Sequence, residues 1–170
     1  MSVRYLIDSN IIINGIKTYP RDVFPGYWDA LEALQKAQRL HLCRAAFDEI
    51  DGRDDDASRW VHRIFPRASI INVQPTTTPY YVSAMQWAER RTPAFEESAL
   101  RDFARRTNAD PWLVAHAREH AMTILTNETP SPRKTTRVKI PDAAEFLGVK
   151  CISLIDMLRV EKYVFGSVRK

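Results

Sequence analysis

The chain has 170 residues, enough for one domain to bury a core without disulfides, and its 45% hydrophobic against 27% charged residues exclude a disordered polypeptide. No segment approaches roughly 18 uninterrupted apolar residues, and an N-terminus with Arg4 before a short apolar run broken by Asp8 lacks a signal-peptide layout, so a cytoplasmic protein without a membrane span is expected. Cys43 and Cys151 lie in separate short apolar runs and form neither a disulfide framework nor a metal array, while a net charge of +4 and a pI near 9.2 point mildly to a polyanionic partner.

In chain order, residues 3–8 read as an apolar, β-branched strand that ends at Asp8, where Ser9 and Asn10 can start a short helix from about Ile11. After the Tyr19-Pro20 break, Pro25 and Gly26 open a helix in which Trp28, Leu31 and Leu34 recur at helical spacing through Gln38. Leu40 to Cys43 is a second strand, 45–51 the start of a helix, and Asp54-Asp55-Asp56 caps another whose apolar face holds Trp60, Val61 and Ile64. Ser69 to Val73 is a third strand candidate. Thr78 and Pro79 read as cap and first residue of a helix with Val82, Met85 and Ala88, followed by a helix over 94–106.

Asp110-Pro111 is a helix start, with a carboxylate able to cap free N–H groups and a proline where its missing donor costs nothing; that helix runs to about Ala121. Met122 to Thr126 is a strand, Asn127 to Arg137 a polar loop, and Pro141 to Phe146 a helix stopped near Gly148. Val149 to Ile152 is a last strand and Leu154 to Val164 a closing helix. Strands alternating with helices predict a parallel sheet covered on both faces, with function at the carboxyl ends of the strands. No repeat or linker divides the chain, so one domain over 1–170 is expected.

Four acids stand at element ends that such a sheet can bring together: Asp8, Glu49, Asp110 and Glu128. Convergent carboxylates repel and raise one another's proton affinity unless a cation neutralises them, and hard Mg2+ or Mn2+ suits oxygen ligands. Taken singly, Asp110 also reads as a helix cap, Glu49 as a solvated helix residue and Glu128 as a loop charge. Asp8 is the hardest to explain that way, because a carboxylate directly after an apolar strand is costly to bury unpaired.

Asp8-Ser9-Asn10 after a strand, Glu49 before Ile50, Asp110 opening an alanine-bearing helix, and Leu125-Thr126-Asn127-Glu128 together resemble the ordered motifs of PIN-domain ribonucleases. A narrower resemblance, to a PIN-like bacterial family of poorly defined function, rests on Tyr19-Pro20, Phe24 to Trp28, Asp110-Pro111-Trp112 and Val138-Lys139-Ile140-Pro141, and spans nearly the whole chain. These resemblances imply a three-layer α/β/α fold with a central parallel sheet and metal-dependent hydrolysis of RNA. They also imply Asp8, Glu49, Asp110 and Glu128 as the acids that bind Mg2+ or Mn2+, supported by Ser9, Asn10, Thr126 and Asn127. The likeness extends to toxins of VapC-type pairs, which implies an antitoxin partner and allows a homodimer. Glu128 departs from the pattern, since PIN domains usually carry aspartate there, and by the same resemblance Asp142 is an alternative acid. Arg133, Lys134, Arg137 and Lys139 read either as a phosphate-binding loop or as a solvated basic one.

Two rival chemistries fit parts of the sequence. His116-Ala117-Arg118-Glu119-His120 matches HxxEH, the pattern of a zinc peptidase, although no third protein ligand is evident. A non-catalytic signalling or interaction domain with a cation site also suits a doubly wound sheet, but receiver-like domains carry paired acids after strand one, where Asp8 is followed by Ser9 and Asn10. No glycine-rich phosphate cradle occurs.

Overall fold

The structure, a computed structural model, describes residues 2–165. Its centre is a four-stranded, wholly parallel sheet of β1 (Tyr5–Ile7), β2 (Leu40–His41), β3 (Thr123–Leu125) and β4 (Cys151–Ile152), in the order β2-β1-β3-β4. Tyr5, Leu6 and Ile7 are all buried, which explains why β1 reads as a continuous apolar run rather than an alternation: helices cover both faces. The register pairs Tyr5 with Leu40 on one side and Ile7 with Leu125 on the other, so β1 and β3 end level with each other.

Nine α-helices surround this sheet among the described residues: α1 (Ser9–Thr18), α2 (Pro25–Lys36), α3 (Arg44–Asp51), α4 (Asp56–Ile64), α5 (Thr78–Arg90), α6 (Glu97–Phe103), α7 (Asp110–Glu119), α8 (Ile140–Phe146) and α9 (Leu154–Val160). The path from β1 through α1 and α2 to β2 crosses the sheet in one direction, and that from β3 through α8 to β4 in the other. Right-handed crossovers therefore put these helices on opposite faces. Trp28 of α2 meets Trp60 of α4 edge to face, with centroids 5.0 Å apart, and both rings are buried; α5 packs on α7 and α8, and α7 lies on β3. The result is the expected three-layer α/β/α arrangement.

Several boundaries differ from the sequence expectation, each for a local reason. The strand expected over Ser69 to Val73 shrinks to a single parallel bridge between Ile71 and Cys43, because a 3-10 turn over Arg67–Ser69 bonds back onto Pro66 and consumes its start. Thr77, not Thr78, precedes α5: its hydroxyl oxygen accepts from the Gln74 N–H, and Thr78 is already helical. The helix expected over 94–106 is confined to Glu97–Phe103, α1 begins two residues earlier than expected because Asp8 itself is its cap, and the closing helix ends at Val160. At the end of α8 the stop at Gly148 is as expected. Gly148 takes φ +66°, and the N–H groups of Gly148 and Val149 return to the carbonyls of Glu145 and Ala144, a turn that needs a residue free of the Cβ penalty.

Candidate active site

At the sheet centre the chain leaves β1 toward β2 and β3 toward β4, so the carboxyl ends of β1 and β3 flank the switch point where clefts form in open parallel sheets. Asp8 follows β1 and Thr126 follows β3, and both are buried. The Asp8 carboxylate caps α1 by accepting from the Asn10 N–H at 3.1 Å, and its other oxygen accepts from the Thr126 hydroxyl at 2.8 Å. Burial raises the Asp8 pKa above the ordinary carboxylate value and the charges of Glu128 and Glu49 add to the rise, against the two hydrogen bonds just named.

Glu49 enters from α3, where it is half-buried. Its Oε2 accepts from the Ser9 hydroxyl, and its Oε1 from the Ala109 N–H at 2.9 Å. Asp110 is the first helical residue of α7 and not its cap, a position that falls to Ala109; Asn108 Oδ1 accepts the Asp110 N–H at 2.9 Å, and Glu49 the N–H of Ala109. The helix N-terminus is thus satisfied from outside, and the Asp110 carboxylate is left pointing into the pit. Arg137 Nη2, at 3.9 Å from Oδ2, is its nearest cation, and no hydrogen-bond donor reaches it among the described residues. Burial, followed by the charges of Asp8, Glu128 and Glu49, pushes its pKa up to about 7, with Arg137 opposing.

Glu128 is more fully partnered. Oε1 accepts from Arg137 at 2.8 Å and from Lys139 at 3.1 Å, and Oε2 from the Ile140 N–H at the start of α8. The longer side chain at this position thereby reaches across to α8, and both Lys139 and the largely exposed Arg137 pair with it at the edge of the pit. Arg133 and Lys134 are exposed on the loop beyond. The remaining expected residues divide. Ser9 orients Glu49, Asn10 and Thr126 hold Asp8, and Thr126 Oγ1 also accepts from the Glu128 N–H at 3.2 Å. Asn127 lines the cleft beside Asp8, and its Oδ1 accepts from the Leu154 N–H at the start of α9. Asp142 is occupied elsewhere, both carboxylate oxygens accepting the Ser131 N–H and so fastening the 127–137 loop.

Three clefts open around these acids. One of about 360 Å³ is lined by Asp8, Asn14, Glu128, Arg137 and Lys139; a second of about 370 Å³ by Arg105, Asn108, Asp110 and Arg137; a third of about 580 Å³ by Arg44, Glu49, Arg106 and Trp112. The sequence reading missed Arg44, Arg105, Arg106 and Asn108. For Asn108 a signal existed, since Asn two residues before a helical Asp-Pro can accept the N–H of the residue two ahead; for the arginines none did. The HxxEH residues lie at the other end of α7, and Glu119 sits between the two imidazoles instead of standing apart as a general base.

Comparison with solved structures finds the same fold in several distant proteins. VapBC2 from Rickettsia felis, in a structure described as bound to a DNA fragment from their promoter, has 16% identity and a TM-score of 0.57 over 89% of this chain and 98% of the other. FitAcB from Neisseria gonorrhoeae gives 14% and 0.53 over 89% and 98%, and FitAB bound to an IR36 DNA fragment gives 15% and 0.54 over 88% and 94%. At such identities the likeness establishes a PIN-like fold. No curated protein sequence matches the chain. A family model described as a domain of unknown function, DUF4411, matches residues 5–165, from the first strand to beyond the last helix, and the chain therefore belongs to that family.

Proposed function

We propose that this protein is a divalent-metal-dependent ribonuclease that hydrolyses RNA phosphodiester bonds, with Asp8, Glu49, Asp110 and Glu128 as its metal-holding acids. The observation that carries the reading is the Asp110 carboxylate: buried, without a hydrogen-bond donor among the described residues, and close enough to three other acids for each to raise its proton affinity. A carboxylate set of this kind suits Mg2+ or Mn2+, because hard oxygen donors favour small hard cations and a bound cation cancels the repulsion among them. When bound, such an ion lowers the pKa of a water and stabilises the leaving oxygen.

The chain's own residues supply the rest. Thr126 and the Asn10 N–H fix the Asp8 carboxylate, and Ser9 and the Ala109 N–H fix Glu49, so neither rotates when a ligand arrives. Arg137 and Lys139 stand on Glu128 at the rim of the cleft containing Asp8, where they can take a phosphate oxygen, and Arg44, Arg105 and Arg106 extend positive charge along the neighbouring clefts. Likeness in fold to VapBC2 and FitAcB supports the further reading that the enzyme is the toxin of a toxin–antitoxin pair, acting in the cytoplasm as one domain, alone or as a homodimer, and blocked by an antitoxin protein. No helix among the described residues is long and apolar enough to cross a membrane.

The test is purified protein with total RNA in Mg2+, in Mn2+ and in chelator, beside Asp8→Asn. Cleavage that needs the metal and disappears in the folded variant is expected. Metal-independent cleavage, or full activity in the variant, rules the assignment out. A folded protein that binds the ion at this site and cleaves no RNA points instead to a non-catalytic cation-binding domain.

A further inference from the structure

A second group of metal-type ligands lies at the C-terminal end of α7. His116, Glu119 and His120 each offer one ligand atom, all within 4.8 Å of one another. Glu119 Oε2 is 3.7 Å from His116 Nδ1 and 3.5 Å from His120 Nε2, and these contacts are not hydrogen bonds. Both ring nitrogens of His116 and Nε2 of His120 are buried atoms without any hydrogen-bond partner, and the His116 side chain is 0% exposed. Three strong ligand atoms therefore lie together, and the imidazole nitrogens among them have no hydrogen-bond partner among the described residues.

Spacing and chemistry both match a tetrahedral ion. Bonds of about 2.0–2.2 Å to nitrogen and oxygen place neighbouring ligands about 3.4 Å apart; both nitrogen–carboxylate separations are within a few tenths of an ångström of this, and the two imidazole nitrogens lie within 4.8 Å of each other. Residues at i, i+3 and i+4 share one helix face, which explains why a single turn can supply all three. Glu119 is held in place by the Thr76 hydroxyl on Oε1 and by the hydroxyl of the fully buried Thr77 on Oε2, the oxygen that faces the imidazoles, and ligating carboxylates are commonly fixed by such hydrogen bonds. The His120 side chain is 34% exposed, leaving a route for the ion and room for a water as fourth ligand.

We propose that His116, Glu119 and His120 form a zinc site with three protein ligands. Two imidazoles and one carboxylate select Zn2+ over Mg2+, in contrast to the all-carboxylate pit at the other end of the same helix. With Glu119 as a ligand, the HxxEH segment has no separate carboxylate left to act as the base of an HxxEH peptidase. The ion would brace the last turn of α7, which Glu119 already joins through hydrogen bonds to the Thr76-Thr77 turn that leads into α5, the helix packed along α7. The site is about 9–15 Å along the helix axis from Asp110, at 1.5 Å per residue, and stands independently of the nuclease reading.

The experiment is zinc analysis by mass spectrometry on the full-length protein purified without chelator, followed by Co2+ replacement read as a tetrahedral visible absorption band. About one zinc per chain is expected, retained in an Asp8→Asn, Asp110→Asn double variant. Glu119→Gln and His120→Gln, both outside the fully buried core, should each weaken zinc binding at least about tenfold and abolish the cobalt band, and Thr77→Val should weaken it about tenfold. Stripping the zinc should lower Tm by about 4 °C or more. The proposal fails if the protein takes up neither zinc nor cobalt, if zinc content is unchanged in both Glu119→Gln and His120→Gln, or if zinc is lost with the Asp8 and Asp110 substitutions instead.

Discussion

Replacing Asp110 by Asn separates a repelled member of a cation site from an ordinary helix cap. In the folded protein the Asp110 pKa stands at about 7 against 3.8 for the free side chain. At about 1.36 kcal/mol per unit this is about 4 kcal/mol of unfavourable burial and repulsion carried by the ionised group. Because the folded pKa is the higher one, the folded state binds the proton more tightly. Stability is therefore lost as pH rises from 3.8 toward 7 and stays lost above it. Asn keeps the shape and removes the charge, and part of the penalty remains as burial of a polar amide. A gain of about 1–3 kcal/mol at pH 8, or about 3–10 °C in Tm for a chain of this size, is expected in chelator. The gain should shrink toward zero near pH 4, and Mg2+ or Mn2+ should raise the Tm of the wild type while leaving the variant nearly unchanged. Thermal melts of both proteins at pH 4 to 8, with chelator and with metal, measure all of this. A variant that is less stable than wild type at pH 8 in chelator by more than about 1 kcal/mol would show that Asp110 serves as a cap, and the repulsion argument would be wrong.

Other perturbations address the partners of the acids. Thr126→Val keeps the side-chain shape but removes the hydroxyl that donates to Asp8, and should cost about 1–3 kcal/mol of stability and reduce metal-dependent activity without abolishing it; activity equal to wild type would remove Thr126 from the site. Arg137→Ala combined with Lys139→Ala should weaken binding of RNA of any sequence and lower the slope of log affinity against log salt by about 1 to 2, measured by fluorescence anisotropy with the metal replaced by Ca2+; an unchanged slope would mean that neither residue meets phosphate. Expression of the wild-type chain alone should arrest a bacterial host, and Asp8→Asn should relieve the arrest; harmless expression of a protein active in vitro would remove the toxin reading and leave the nuclease reading intact.

Much of this protein was decided locally and is legible in the chain. The apolar run over Tyr5–Ile7 fixes a doubly covered strand, and the first polar residue after it is placed at the sheet edge by that fact alone. Pro111 near the start of α7 and Gly148 after α8 mark boundaries through backbone constraints that need no tertiary partner. Tertiary structure decided what the acids do. Asp110 carries a strong local signal for capping, yet α7 starts one residue earlier, with Ala109 at the cap position, and Asn108 and, from a helix 60 residues away, Glu49 accept the Asp110 and Ala109 N–H groups, so the carboxylate is left to the pit. The same holds for Asn127 and Asp142, which family resemblance alone put at the site: Asn127 lines the cleft beside Asp8 while bonding to α9, and Asp142 bonds to Ser131. Capping and helical periodicity act over a few residues, and so the sequence displays them. Desolvation and Coulomb repulsion depend on distances set by the register of β1 against β3 and by the packing of α3 and α7, so the raised proton affinity of Asp8 and Asp110 exists only once the chain has folded.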